Sequence, residues 1–383
     1  MAFRRSDFDV LRVVCTVSIF LFHCFCIFAV SNFYISNAQT SPVLAVLIYL
    51  MLIWMLPVFF IISGRVTYQA LGRTPAWEMV KTRFLRYMVP FLVGVFSFCA
   101  IIVYLTRVFY HQYSGSLLSF YVNEYFHGLY GFGGNFSFLG NHLWYLFYLF
   151  SFTVVLLLFF WLVPWRGKKE KALKALSIFQ KPGALFLLSI PVILTTQVNF
   201  IDPNVLGRDG TGGWNVLTHF VFFSLGVLFA YDVRFDEIID RHWKVSAVLA
   251  VPLLATYAWL LTDIPHYESV LSWLKAILLG LTAFTTFIAI FGFSHRYITR
   301  APRHIAAFNE AVLPFYILHF PIVIIYGFFI VQLDLGLFLK LGLVIALSFV
   351  TIIACYLVIR RVRVLRFLFG MKPLKKKDAE GEI

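Results

Sequence analysis

Charge is what this sequence has least of. Only 13% of its 383 residues are Asp, Glu, Lys or Arg and 61% are hydrophobic, whereas a soluble domain carries about 25% charged residues. A mean hydropathy of +0.85 excludes a water-soluble fold, and so much apolar surface excludes a disordered chain. Cysteine is scarce as well. The five (Cys15, Cys24, Cys26, Cys99, Cys355) all fall within apolar runs, and no Cys-x-x-Cys pair offers metal-ligand spacing. They read as small packing residues. No Walker sequence and no Gly-x-Gly-x-x-Gly is present, which leaves nucleotide hydrolysis and a dinucleotide fold without support. Repeats between the halves and low-complexity tracts are also absent.

Long apolar runs and aromatics fill the chain instead, with 45 Phe, 19 Tyr and 9 Trp. A spanning helix needs about 20 apolar residues, and ten runs approach or exceed that length. They lie at 10–30, 42–63, 88–110, 142–163, 183–200, 214–231, 244–262, 271–293, 310–332 and 335–359. The expected fold is an all-α polytopic membrane protein, a bundle of about ten transmembrane helices. One transmembrane domain is expected over 1–360 and a basic tail over 361–383. Arg4 and Arg5 before the first run resemble a secretory signal, but the run is longer than a signal core, so it is read as the first span.

The net charge of +14 raises the question of nucleic acid, and the placement of the charges answers it. Every Lys and Arg except Arg107, Arg208, Lys275 and Lys340 falls on alternate connections. That is the positive-inside pattern, with both termini cytoplasmic. The basic surplus therefore sets orientation and touches lipid headgroups; no nucleic-acid partner is expected. The expected location is the inner (plasma) membrane. The longest outside connection, 111–141, has no Lys or Arg and contains Gly131-Phe132-Gly133-Gly134 after Tyr130. It reads either as a lid over an outward-facing cavity or as an interfacial aromatic loop.

Function is sought among ionisable residues inside spans, because each costs about 2.5–3.5 kcal/mol at mid-helix on insertion scales. Arg12 and His23 are eleven residues apart, roughly three helical turns or about 16 Å, and so share one face. Asp9 lies three residues before Arg12 on that face and can pair with it. Singly, Arg12 could snorkel to the headgroups and His23 could be satisfied by a neighbouring helix; their common face favours a functional stripe. Arg83 and Arg86, spaced i,i+3 before Pro90, form a second cluster. Guanidinium forks suit phosphate, so this pair reads as a mouth for a phosphate-bearing cytosolic ligand or, alternatively, as a topology signal.

These elements resemble the membrane acyltransferase-3 family. Arg12 and His23 match its Arg-x10-His signature, and Phe59-Phe60-Ile61-Ile62-Ser63-Gly64 its FF-x-x-SG element. Arg83-x-x-Arg86 matches its RxxR motif, Asn141-His142-Leu143-Trp144-Tyr145-Leu146 its HLW element, and Tyr316-Ile317-Leu318-His319 its YxLH element. Arg65 stands where that family commonly has an aromatic residue. Size and span number are most similar to the branch that succinylates periplasmic glucans.

The resemblance implies transfer of an acetyl or succinyl group from cytoplasmic acyl-CoA to a hydroxyl of an extracytoplasmic or cell-envelope carbohydrate. No permanently bound cofactor and no metal are expected; acyl-CoA, a carbohydrate acceptor and membrane lipid are the expected partners. His23 would be the general base, since imidazole titrates near neutrality. Arg12 would hold donor phosphate or act electrostatically, and Arg83 and Arg86 would bind the donor. Asp9, Ser63, His142, Trp144, Glu310, Tyr316 and His319 are candidates to line the site. The competing class is a transporter or flippase for a glycan or lipid-linked intermediate. The prolines Pro57, Pro252 and Pro314 do not fall in matching halves, as broken helices of transporter repeats would.

Overall fold

The computed structural model describes residues 5–29, 33–163, 169–198, 212–263, 270–300 and 302–373. The end of the expected basic tail and part of the charged 166–181 connection lie outside the described residues. In hydrocarbon the backbone must satisfy its own hydrogen bonds, so apolar runs of this length become helices.

The chain forms α1 (Ser6–Ala29), α2 (Pro42–Leu71) and α3 (Ala76–Arg83), then a π-helical turn (Phe84–Met88) leading into α4 (Val89–Phe96) and α5 (Phe98–Phe109). Next come α6 (Leu117–Asn123), α7 (Trp144–Leu162), α8 (Lys169–Leu176), α9 (Ser189–Gln197) and α10 (Val216–Tyr231). The last five are α11 (Arg234–Asp263), α12 (Val270–Tyr297), α13 (Arg303–Ile330), α14 (Leu337–Ile359) and α15 (Arg363–Leu368). Among the described residues no β-strand forms; Leu129 and Phe136 make an isolated bridge.

Eight helical stretches of the described residues are long and apolar enough to cross a membrane. A ninth arises if Lys169–Gln180 and Ala184–Gln197, bent by 116°, act as one span. The sequence predicts ten, and the difference sits in two runs. The run at 183–200 contains a 3₁₀ turn (Ala184–Leu188) followed by the nine residues of α9. Pro182 and Gly183, the latter at φ +76°, turn the chain where hydropathy sees only apolar content. The run at 214–231 gives α10, 16 residues long and so short of the roughly 20 needed to span. Its start is capped by Asn215, whose side chain accepts from the Thr218 amide.

The chain divides into two compact units. Unit 1 comprises Met1–Cys15, Tyr49–Val80 and Ser151–Ala306; unit 2 comprises Thr16–Ile48, Lys81–Phe150 and Ala307–Ile383.

In unit 1, α2 and α10 approach backbone to backbone. A Cβ at Gly64 would lie 1.9 Å from the Phe223 carbonyl oxygen, and one at Gly226 would lie 1.9 Å from that of Ile61. The glycine of the FF-x-x-SG element is thus required by helix contact, as small residues are at intramembrane interfaces. Trp214, fully buried, donates its indole N–H to Leu52 O at 3.0 Å. Four of its charges are gathered into one network. Arg65, 6% exposed, makes a two-pronged pair with Asp236 at 2.7 and 2.6 Å, and Arg5 bridges Asp7 and Asp236 at 2.5 and 2.9 Å. Both guanidinium groups stand over the Phe8 ring, at 4.3 and 5.2 Å.

Unit 2 is built on a core that includes Phe20, Ile27 and Phe28 of α1, Val95 and Cys99, Leu143 and Leu146, and Phe315 and Val323 of α13. The 111–141 connection is folded onto it: Tyr125 and Tyr121 donate to Val95 O and Phe96 O at 2.6 and 3.0 Å. Arg107, one of the four basic residues off the alternate pattern, fastens this loop through Asn135 Oδ1 at 2.8 Å and Gly134 O at 3.0 Å. Lys340, also off the pattern and buried, donates to Val331 O at 2.9 Å and Asn37 Oδ1 at 3.3 Å. Its charge thereby serves the carbonyl end of α13. The 111–141 connection is therefore an ordered cap packed on unit 2.

Candidate active site

The site in unit 2 begins with a proline. Pro321 lies inside α13 and has no N–H, so the carbonyl four residues earlier, that of Ile317, loses its helical donor. His142 Nε2 lies 3.1 Å from that oxygen. In return, the Tyr316 hydroxyl donates to the His142 carbonyl. The HLW and YxLH elements, 174 residues apart, thus interlock through two bonds of opposite direction. Trp144 is buried on the adjoining turn with its ring 5.2 Å from Tyr148.

The tautomers follow from the partners. A ring nitrogen facing a carbonyl must carry the hydrogen, because a carbonyl oxygen has none to give. His319 Nδ1 faces Tyr316 O at 2.6 Å, and His23 Nδ1 faces Ile19 O at 2.9 Å. His319 Nε2 therefore bears a lone pair in the neutral ring, and it lies 3.1 Å from His23 Nδ1. The His23 Nδ1–H is shared between Ile19 O and His319 Nε2, which leaves His23 Nε2 as the basic nitrogen. His319 and His142 are buried, whereas His23 is half-buried. Phe320 joins the group, its ring 4.5 Å from His23 and 5.1 Å from His142. This arrangement can hold one imidazole in a fixed orientation with its Nε2 available to accept a proton. Among the described residues no group of three or more His, Cys, Asp or Glu is arranged to hold a metal ion.

The other candidate residues are distributed over both units. Arg12 and Asp9 lie in unit 1 and form the expected i,i+3 pair at 3.4 Å. Ser63, also in unit 1, accepts the Thr67 hydroxyl at its carbonyl. Arg83 and Arg86 lie in unit 2, but the π turn over Phe84–Met88 interrupts the α-helical face that their spacing suggests. Arg83 is half-buried and donates to the Tyr87 hydroxyl at 2.6 Å, while Arg86 is exposed. A π turn is a common mark of a functional segment. Glu310 pairs with Arg366 of α15 at 2.9 Å, so it anchors the first turn of the tail onto unit 2.

Two features escaped the sequence reading. The bidentate bond between Arg65 and Asp236 joins positions 171 apart, with no local signal. The role of Pro321 did carry a signal, since a proline two residues after a candidate histidine frees a carbonyl on the same helix.

Residues 5–360 match the acyltransferase-3 family, described as an acyltransferase domain. The chain is similar to glucans biosynthesis protein C of Salmonella typhimurium, with 22% identity over 373 residues, covering 94% of this chain and 93% of that protein. No solved structure matches the chain.

Proposed function

This chain belongs to the acyltransferase-3 family, and on that premise we propose that it transfers an acyl group from acyl-CoA on the cytoplasmic side of the inner membrane to a hydroxyl of a cell-envelope carbohydrate. The basic nitrogen of His23, with its tautomer set by Ile19 O and His319, is the observation that carries the reading. His23 Nε2 takes the proton of the acceptor hydroxyl as its oxygen attacks the thioester carbonyl. The C–O bond forms, the C–S bond breaks, and the imidazolium returns its proton to the departing thiolate of CoA. His319 is a positioning residue that orients the base. Arg83 and Arg86 take the phosphates of the donor, and Arg12 adds positive charge on the helix that carries His23. A relative whose name refers to glucans supports a glucan acceptor, and succinyl or acetyl is the transferred group.

Incubating the purified protein with labelled succinyl-CoA or acetyl-CoA, with and without a glucose oligosaccharide, tests this. Acyl ester on the sugar is expected, dependent on His23. Transport of the sugar across a vesicle membrane without ester formation would replace the reading with a carrier.

A further inference from the structure

Two neighbouring side chains beside the histidines hold polar atoms that the fold leaves unanswered. Asn141 Nδ2 and His142 Nδ1 are both buried and without a hydrogen-bond partner. Their senses are opposite. His142 gives its Nε2–H to Ile317 O, so Nδ1 is an acceptor; the Asn141 oxygen takes the hydroxyls of Ser137 at 2.5 Å and Tyr34 at 3.5 Å, so Nδ2 is a donor. Buried polar atoms are nearly always paired, and leaving them bare costs folding free energy.

The backbone is bent to hold them there. Gly140 at φ +77° and Asn141 at φ +49° both sit in the left-handed region, which asparagine tolerates better than most residues. Gly140 takes this conformation without strain; at Asn141 it costs something, and such strain collects at functional sites. Rings surround the place: Tyr34 stacks 6.0 Å from Tyr130 and lies 5.1 Å from Phe320, which itself touches His23 and His142.

We propose that Asn141 Nδ2 and His142 Nδ1 form a hydroxyl-binding subsite for the acceptor carbohydrate. The inference rests on the acyl-transfer reading above for the identity of the acceptor. Sugar hydroxyls both accept and donate, so they answer an amide N–H and an imidazole lone pair together. A phosphate or carboxylate would face the lone pair, and an ammonium would face the N–H; a neutral polyhydroxyl ligand meets neither conflict. The rings supply the apolar walls typical of a small-molecule site. The pantetheine arm of the donor, with its amides, offers similar chemistry, and the experiment separates the two.

Asn141→Asp keeps the size, the tolerance for left-handed backbone and the oxygen facing Tyr34 and Ser137, but replaces the donor with an acceptor. Asn141→Gly keeps the backbone alone and serves if the first variant folds poorly. Binding of a linear glucose oligosaccharide to the purified full chain is measured by calorimetry, and KM for that sugar and for succinyl-CoA from initial rates. The expected result is a roughly tenfold or greater weakening of sugar Kd and KM with donor KM unchanged. Unaltered sugar binding in both variants, a rise in donor KM instead, or no sugar binding by the wild type would overturn the subsite. A wild type that binds the sugar, with binding lost in the variants, yet forms no ester leaves the subsite standing and removes the acyl-transfer reading.

Discussion

The charged network around Asp236 in unit 1 and the histidine cluster of unit 2 treat buried polarity in opposite ways. In the first it is ionic: Arg65 and Arg5 meet Asp236 and Arg5 meets Asp7, with Arg65 Nε left over, and a separate pair joins Arg234 to Asp232 at 2.6 Å. Around the histidines of unit 2 it is neutral and open. Three imidazoles are held by backbone carbonyls and by one another, and two polar atoms remain unanswered. An ionic network is costly to open and so fixes geometry. A neutral network with a spare lone pair can accept a proton without first breaking an ion pair. On the proposed function, the ionic network serves architecture and the histidine cluster serves chemistry.

The contrast is broken most directly at His23. His23→Ala and His23→Gln are each expected to insert and purify normally while transfer falls about 10²–10⁴-fold, the usual share of a positioned base. In the wild type the rate should fall on acidification, as a protonated imidazole cannot accept the hydroxyl proton. Full activity in His23→Gln would end the base assignment.

Asp236→Ala asks the converse question of unit 1. It strips Arg65, which is 6% exposed, of its carboxylate, and such a break costs about 3–5 kcal/mol. Thermal unfolding in detergent should register this as a markedly lower Tm. Transfer per folded molecule should stay within about twofold, and a selective loss of kcat at unchanged Tm would erase the division of labour.

Within unit 2, His319→Leu removes one of the two acceptors of the His23 Nδ1–H. A drop of about tenfold in kcat is expected for one hydrogen bond of about 1.4 kcal/mol. His319→Gln, whose amide oxygen can accept the same hydrogen, should recover most of it. Equal loss in both variants would make His319 a packing residue.

The smallest effect concerns acid. Burial alone would raise the Asp232 carboxyl, but the hydrogen bonds and charge of Arg234 hold it below the ordinary carboxylate range. Its contribution to stability is therefore present above the unfolded value of about 3.9 and lost as pH falls through the lower folded value. In Asp232→Asn the acid limb of a Tm–pH curve should be shallower below pH 4 than in the wild type; identical limbs would show that the pair contributes nothing.

How much of this was legible in the sequence depended on distance along the chain. The Asp9–Arg12 pair was readable because helical spacing brings i and i+3 together. Spans of high apolarity were readable because each satisfies its own backbone, yet the turn at Pro182–Gly183 and the 16-residue α10 were not, since hydropathy averages over where a helix stops. His23 could be singled out as a costly intramembrane residue, and His142 and His319 through the family resemblance, but they could not be placed in contact: His23 and His319 are 296 positions apart, and only packing closes that gap. The resemblance to a family named the motifs without giving their physics. Gly64 proved to be a point of helix approach, and Tyr316 a clasp on the His142 carbonyl.

Pro321 carries a consequence for anyone wishing to make this protein hardier. By intrinsic helix preference it ranks with Pro314 as the poorest residue of α13, roughly 3 kcal/mol poorer than alanine in a helix interior, and a stabilising redesign would replace it early. Pro321→Ala would restore an amide to the ladder, and that amide would compete with His142 for the Ile317 oxygen. The sturdier helix would then slacken the imidazole it was meant to support. Robustness and turnover are set against each other at a single missing hydrogen, a local instance of the trade between stability and activity.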